Sequence, residues 1–195
     1  IMKRSFQFIL FLFLTQSSIK SQNIERNNKT SSHYIGEIFE GGVIVYLQKD
    51  TNNLEHGLIC SVEDLSISHV FSNVSSEKIG INAEDRSDGR KNILGILNQS
   101  NHITSAAKLC DDYIYDGFND WYLPSISELR YCYNAKKIIT KVFQKETFNS
   151  ESYWSSTEDF YGNFVWFLNF VNGSANESFF YFKNDFLGVR AVRRF

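Results

Sequence analysis

The chain has 195 residues, 16% of them aromatic, one proline and a formal net charge of −2. This length suits one domain with a proper core, and so many aromatics with a single proline exclude a linker-rich or disordered chain. The mildly acidic balance excludes the basic footprint of a nucleic-acid binder.

Lys3 and Arg4 precede an apolar run from Phe6 to Leu14, broken by Gln7, and a small polar stretch follows to Gln22. That order predicts a secretory signal peptide over residues 1–22, with a buried N-terminal strand as the alternative. The run is shorter than the roughly 20 apolar residues a membrane-spanning helix needs, so no transmembrane segment is expected in the mature chain. No cysteine follows it to carry a lipid. Residues 23–34 are polar and charged and predict a flexible start, and residues 35–195 form the expected domain. A secreted, extracellular or cell-surface location follows, the periplasm being another exported destination.

Gly41-Gly42 reads as a turn or bulge, Val43 to Leu47 as a buried strand, and Gly57 to Ser61 as its hairpin partner. Residues 62–90 read as irregular. Asn82, Glu84, Asp85, Asp88 and Gly89 offer oxygens there for calcium, but not at EF-hand spacing, and Arg86, Arg90 and Lys91 offset their charge. No cofactor is expected, and calcium lacks a motif. Asn92 to Leu97 predicts a short helix, and Ile103 to Tyr113 a second with Ile103, Ala106, Ala107 and Cys110 on one face. Asp111-Asp112 reads as a solvated face rather than a metal pair, and the four histidines have no metal-ligand spacing.

The chain is organised around Phe118 to Leu129. Asn119-Asp120 is turn chemistry, Trp121 to Leu123 an apolar anchor, and Pro124 holds Leu123 extended. Ser125 and Glu128 have capping-box spacing, so a helix is predicted from Ser125 to about Ile139. The remainder reads as β: a strand at Tyr153 to Ser156, a long one at Asn163 to Val171, a type I′ hairpin at Asn172-Gly173, a return over Ala175 to Phe182, and a last strand over Leu187 to Phe195. Strands, helices, then strands make the class α+β.

Cys60, Cys110 and Cys132 are odd in number and cannot all pair within the chain. Export would permit one disulfide, with Cys60–Cys110 the pair to test first. Three buried thiols packing as small hydrophobes is the preferred reading, because Cys110 and Cys132 both lie on apolar helix faces.

In order along the chain stand Gly41-Gly42-Val43-Ile44-Val45-Tyr46, His56-Gly57-Leu58-Ile59, Ala106-Ala107-Lys108-Leu109-Cys110, Gly117 to Ser125, Glu128-Leu129, Tyr153-Trp154-Ser155-Ser156 and Val189-Arg190-Ala191-Val192-Arg193. Together they resemble the Lcl C-terminal domain family, found at the end of bacterial collagen-like adhesins and formerly a domain of unknown function. The resemblance runs from about Gly36 to Phe195. It implies a C-type-lectin-like fold of the formylglycine-generating-enzyme variant, with two main helices flanking a twisted, mainly antiparallel sheet. It also implies adhesion and ligand binding, including to sulphated glycans. No Gly-X-Y segment is present, so the adhesin's trimer does not carry over and the oligomeric state stays open.

Formylglycine-type chemistry needs reactive cysteines in the C-terminal half, and none follows Cys132. Ser155 and Ser156 lack an elbow-type glycine frame. The Glu-Pro-Asn and Gln-Pro-Asp triplets of calcium-dependent lectins are absent. The expectation is therefore a non-enzymatic binding domain for a glycan or surface protein, with a structural or assembly module as the runner-up and a degenerate formylglycine-type protein third. Its ligand face is expected on the loops Glu158 to Asn163, Asn172 to Ser178 and Lys183 to Leu187. Candidate stacking residues are Tyr161, Phe164, Phe179, Phe180, Tyr181, Phe182 and Phe186, with Tyr161 and Phe186 foremost. Arg193 and Arg194 are the expected surface cations. Trp121, Trp154 and Trp166 are assigned to the core, Pro124, Ser125 and Glu128 to the helix entry, and Arg190 to a partly buried structural ion pair.

Overall fold

A computed structural model describes residues 32–162, 164–175 and 181–195. The expected signal peptide and nearly all of the expected flexible segment lie outside the described residues, as do Phe179 and Phe180. Tyr34–Phe195 forms one compact unit.

The class is α+β, built from two four-stranded sheets and three α-helices among the described residues. The first sheet has the order β1 (Ile38–Phe39), β2 (Gly42–Lys49), β3 (Glu55–Ser61), β8 (Val192–Arg194), all antiparallel. Val43 to Val45 are buried as their β-branched run predicts, and β2 and β3 form the expected hairpin. The second sheet has the order β4 (Ser66–Val70), β7 (Phe186–Val189), β5 (Ser152–Glu158), β6 (Val165–Asn169). Its β5–β7 contact is parallel, at Tyr153 and Gly188, and its other pairings are antiparallel.

Helix α1 (Gly89–Leu97) is capped by Asp88, which accepts from Arg90 N, and α2 (Ala106–Asp111) by Ser105, which accepts from Lys108 N. Helix α3 (Ile126–Phe143) opens on the predicted capping box: Ser125 Oγ accepts from Glu128 N at 3.3 Å and Glu128 Oε2 accepts from Ser125 N at 2.9 Å. It stops at Gln144, whose φ of 53° is left-handed. Its buried face, Ile126, Leu129, Cys132, Ala135 and Ile139, packs against β2 of one sheet and β5 and β6 of the other. Trp121 is 2% exposed, and a Cβ on Gly42 would stand 3.1 Å from its indole and 2.4 Å from Cys60 O. Glycine is required at 42 by that close approach.

Several expectations are corrected. Residues 62–90 contain β4, whose inner edge pairs with β7. The Ile103–Tyr113 helix is shorter, because Ser105 caps it and leaves Ile103 ahead of it and exposed. The Asn172-Gly173 turn is not type I′: Gly173 alone of the two has positive φ, and Asn169 N bonds Ser174 O around a wider loop. The long strand at Asn163 to Val171 shrinks to Val165–Asn169, with Val171 exposed. The last strand is two, β7 and β8 in different sheets, broken where Arg190 turns inward to bond Ser61 O and Thr147 O.

Candidate ligand-binding cleft

At the β5–β6 turn the chain reverses around Asp159. Its carboxylate is 9% exposed and accepts from Phe164 N at 2.9 Å and Tyr161 N at 3.0 Å, while Gly162 N bonds Asp159 O at 3.0 Å. An aspartate that satisfies its own turn leaves the next two side chains facing outward. Phe160 and Tyr161 are accordingly 75% and 77% exposed, edge to face at 5.6 Å. Lys78 lies across the turn, its ammonium 4.9 Å from the Phe160 ring and 3.0 Å from Glu84.

Behind the tip is a cleft of about 440 Å³, lined by Glu84, Arg86, Glu158, Asp159, Phe160, Tyr161, Phe164 and Trp166. This volume is within the range of small-molecule sites. The Arg86 guanidinium lies 4.1 Å over the half-buried Trp166 ring. Arg86 makes no side-chain hydrogen bond or ion pair among the described residues, so its donors remain available. Phe164 meets Phe182 at 5.4 Å on the paired segment.

The floor is rigid. Lys183 and Glu158 form an ion pair with both side chains wholly buried; Lys183 also donates to Glu77 O at 2.6 Å, and Glu158 accepts from Ile79 N at 3.0 Å and Gly80 N at 2.6 Å. Burial of two charges is costly unless their remaining bonds are made, and here they are. The pair fastens residues 77–80 to the end of β5 and so fixes the cleft wall.

A second cleft, of about 610 Å³, opens beside the stacked Tyr46 and Tyr131 rings (4.1 Å, 23°) and is also lined by His56, Arg90, Glu128 and Arg194. Its charges are largely committed. Arg194 donates to Glu128 Oε1 at 2.6 and 3.1 Å and stands 3.5 Å from Asp88. Burial disfavours its charge, but the Glu128 carboxylate outweighs burial and raises its pKa above the usual arginine value.

The four foremost candidates therefore do not share one site. Tyr161 lines the aromatic cleft; Phe186 is 65% exposed at the start of β7 and does not. Arg194 lines the second cleft as a paired, half-buried residue. Arg193 is 6% exposed, forked onto Asp120 at 2.6 and 3.1 Å, bonded to Glu40 at 2.6 Å and stacked 3.9 Å over Phe118. Neither arginine is the free surface cation expected, because three carboxylates of the turns and one of α3 claim them. Trp166 is half-buried, packed against the core and also lining the cleft, whereas Trp121 and Trp154 are buried, Trp154 donating to His69 O at 2.8 Å. Arg190 is fully rather than partly buried, 3.0 Å from Asp64. Tyr181 is half-buried between Trp154 and Phe167.

Arg86 was not legible as a site residue. Arg86 lies far along the chain from Trp166, and no spacing rule joins them. Phe160 next to Tyr161 in a turn was the available signal, since two adjacent rings in a polar loop cannot both be buried.

Among the described residues no helix is long and apolar enough to cross a membrane, and no group of three or more acidic, histidine or cysteine side chains could hold a metal. No curated protein matches the chain. The model of the Lcl C-terminal domain matches residues 74–193, beginning after the β2–β3 hairpin whose motifs also carried the resemblance. The match takes in α1, α2, the capped entry to α3, every strand of the second sheet but β4, and the cleft; the chain belongs to the Lcl C-terminal domain family.

Proposed function

We propose that the protein is an exported, non-enzymatic binding domain that takes a polar, ring-bearing ligand, a glycan foremost, in the Phe160–Tyr161 cleft. The observation that carries this reading is an exposed pair of aromatic rings beside a tryptophan-stacked guanidinium whose donors are uncommitted among the described residues. Pyranose rings present C–H faces to aromatic rings and hydroxyls to charged groups, and this lining offers both. The order of charge, apolar run and small residues over 1–22 supports export, and the α+β build with a capped central helix is compatible with a C-type-lectin-like fold.

A glycan and surface-protein binding screen on the mature chain, followed by titration of the Phe160→Ala/Tyr161→Ala and Arg86→Ala variants, tests it. Loss of the two rings is expected to weaken binding about tenfold or more, with an unchanged melting temperature, as for aromatic anchors of other interfaces. A ligand bound equally well by the ring variant would place the site elsewhere. No ligand in a broad screen would favour a structural or assembly module.

A further inference from the structure

Helix α3 buries one face against both sheets, and its opposite face carries a single sign of charge. Residues 126–145 hold five basic residues and one acid, Glu128, in a chain whose formal net charge is −2. Glu128 is buried and paired with Arg194. Arg130, Asn134, Lys137 and Lys141 recur at i, i+4, i+7 and i+11, all exposed, and so form one stripe about 16 Å long. Lys137 and Lys141 make no hydrogen bond or ion pair among the described residues, and Arg130 reaches Gly173 O at 3.5 Å. At the borders of the stripe Lys136 stands 3.9 Å from Glu146 and Lys145 2.9 Å from Glu63. Like charges at i, i+4, as Lys137 and Lys141 are, repel and weaken a helix.

Apolar side chains flank the stripe on both sides. On one side Ile138 is 42% and Val142 39% exposed. Gly36 packs onto this pair, a Cβ there standing 2.4 Å from Ile138 Cγ2, and Tyr34 and Ile38, two residues either side of Gly36, are exposed as well. On the other side Tyr133, Lys136, Lys137, Phe170 and the exposed Val171 line a groove of about 600 Å³.

We propose that this face of α3 docks on an anionic phospholipid bilayer. Lysine ammonium groups meet headgroup phosphates while their stems and the neighbouring aliphatic side chains cover the acyl boundary. A soluble anionic polymer would use the cations and leave Ile138, Val142 and Val171 in water; a bilayer uses both. The contact is peripheral and reversible, because the apolar residues are few and the attraction fades within a Debye length. None of these residues lines the Phe160–Tyr161 cleft, so docking and ligand binding are separable by mutation.

The full chain is sedimented with vesicles of phosphatidylcholine, alone or with roughly a third phosphatidylglycerol, at about 0.1 M and about 0.5 M salt. Binding to the anionic vesicles at low salt is expected, about tenfold weaker on the zwitterionic ones and at high salt. Lys137→Gln/Lys141→Gln should weaken it about tenfold at an unchanged Tm, and Lys137→Arg/Lys141→Arg should keep it. Val142→Ser should weaken vesicle binding about threefold and leave any binding of soluble dextran sulphate unchanged. No binding to anionic vesicles, or no loss in the glutamine variant, would overturn the proposal. Equal binding to both kinds of vesicle would also overturn it, assigning the contact to the apolar run at residues 6–14. Dextran sulphate bound as tightly as the vesicles, with Val142→Ser without effect on either, would assign the stripe to soluble polyanions and overturn the bilayer.

Discussion

Glu128 carries more than a helix cap requires. Beyond the capping box, its Oε2 accepts from Gly89 N at 2.9 Å and its Oε1 from Tyr122 OH at 2.8 Å and the Arg194 guanidinium at 2.6 Å, all with 3% exposure. One carboxylate thereby joins the starts of α1 and α3 to β8 and the central anchor. Burial, then Glu128, pushes the Tyr122 hydroxyl far above the usual tyrosine range, so it stays a donor. Ser125→Ala should cost only about 1 kcal/mol, the worth of one cap. Glu128→Ala strips Arg194 of its main carboxylate, leaves three buried donors unsatisfied and should cost about 3–5 kcal/mol. Urea melts of the two variants check the contrast; equal shifts would mean that the node is no more than a cap. Gly42→Ala, which drives a methyl into Cys60 O, should also destabilise measurably by the same assay.

At the scale of elements, what was legible is what local chemistry dictates. The α3 entry could be read because its signal is complete within Trp121 to Leu129, and the β2–β3 hairpin because Val43 to Val45 have no other use. What was missed depends on distant partners. β4 is strand because β7 offers an edge, though Ser66 to Val70 alternate weakly, and the last strand divides because Arg190 finds Asp64 and two carbonyls in the core. The acidic stretch before α1 is tied down by its own aspartate. Asp85 Oδ1 accepts from Ser87 N at 2.8 Å, Ser87 Oγ at 2.9 Å and Asp88 N at 3.0 Å, and its Oδ2 meets Lys91 at 3.1 Å. The bond from Ser87 N, ahead of opposing desolvation, brings its pKa down to about 2 from an ordinary 3.8. A depressed carboxylate stabilises the fold above its unfolded pKa and ceases to as pH falls through its folded one. Asp85→Asn should therefore lower the urea midpoint at pH 7, and its deficit against wild type should shrink between about pH 4 and pH 2. A deficit that does not change with pH would assign the role of Asp85 to shape rather than charge.

For the whole compact unit, the two sheets share one core and are crossed by polar struts. Tyr122 bridges to Val192 on β8, Ser156 N of β5 bonds Pro124 O at 2.7 Å, and the chain passes from the second sheet to the first at Arg190. Arg190 is stacked 3.9 Å over Phe148 and paired with Asp64, whose Oδ2 also accepts from Tyr153 OH at 3.0 Å and Asn149 N at 2.9 Å. A buried pair of this kind contributes little net stability against apolar residues of the same size, but losing one partner strands the other charge. Arg190→Met should cost about 3–5 kcal/mol by leaving Asp64 buried alone, and adding Asp64→Leu should recover much of that loss. Because the crossover joins both sheets, tryptophan fluorescence and far-ultraviolet circular dichroism should report one urea midpoint in wild type and in the double variant. Separate midpoints in wild type would mean that each sheet unfolds as its own unit. Separate midpoints in the double variant alone would show that the buried pair, and not the shared apolar core, couples the sheets.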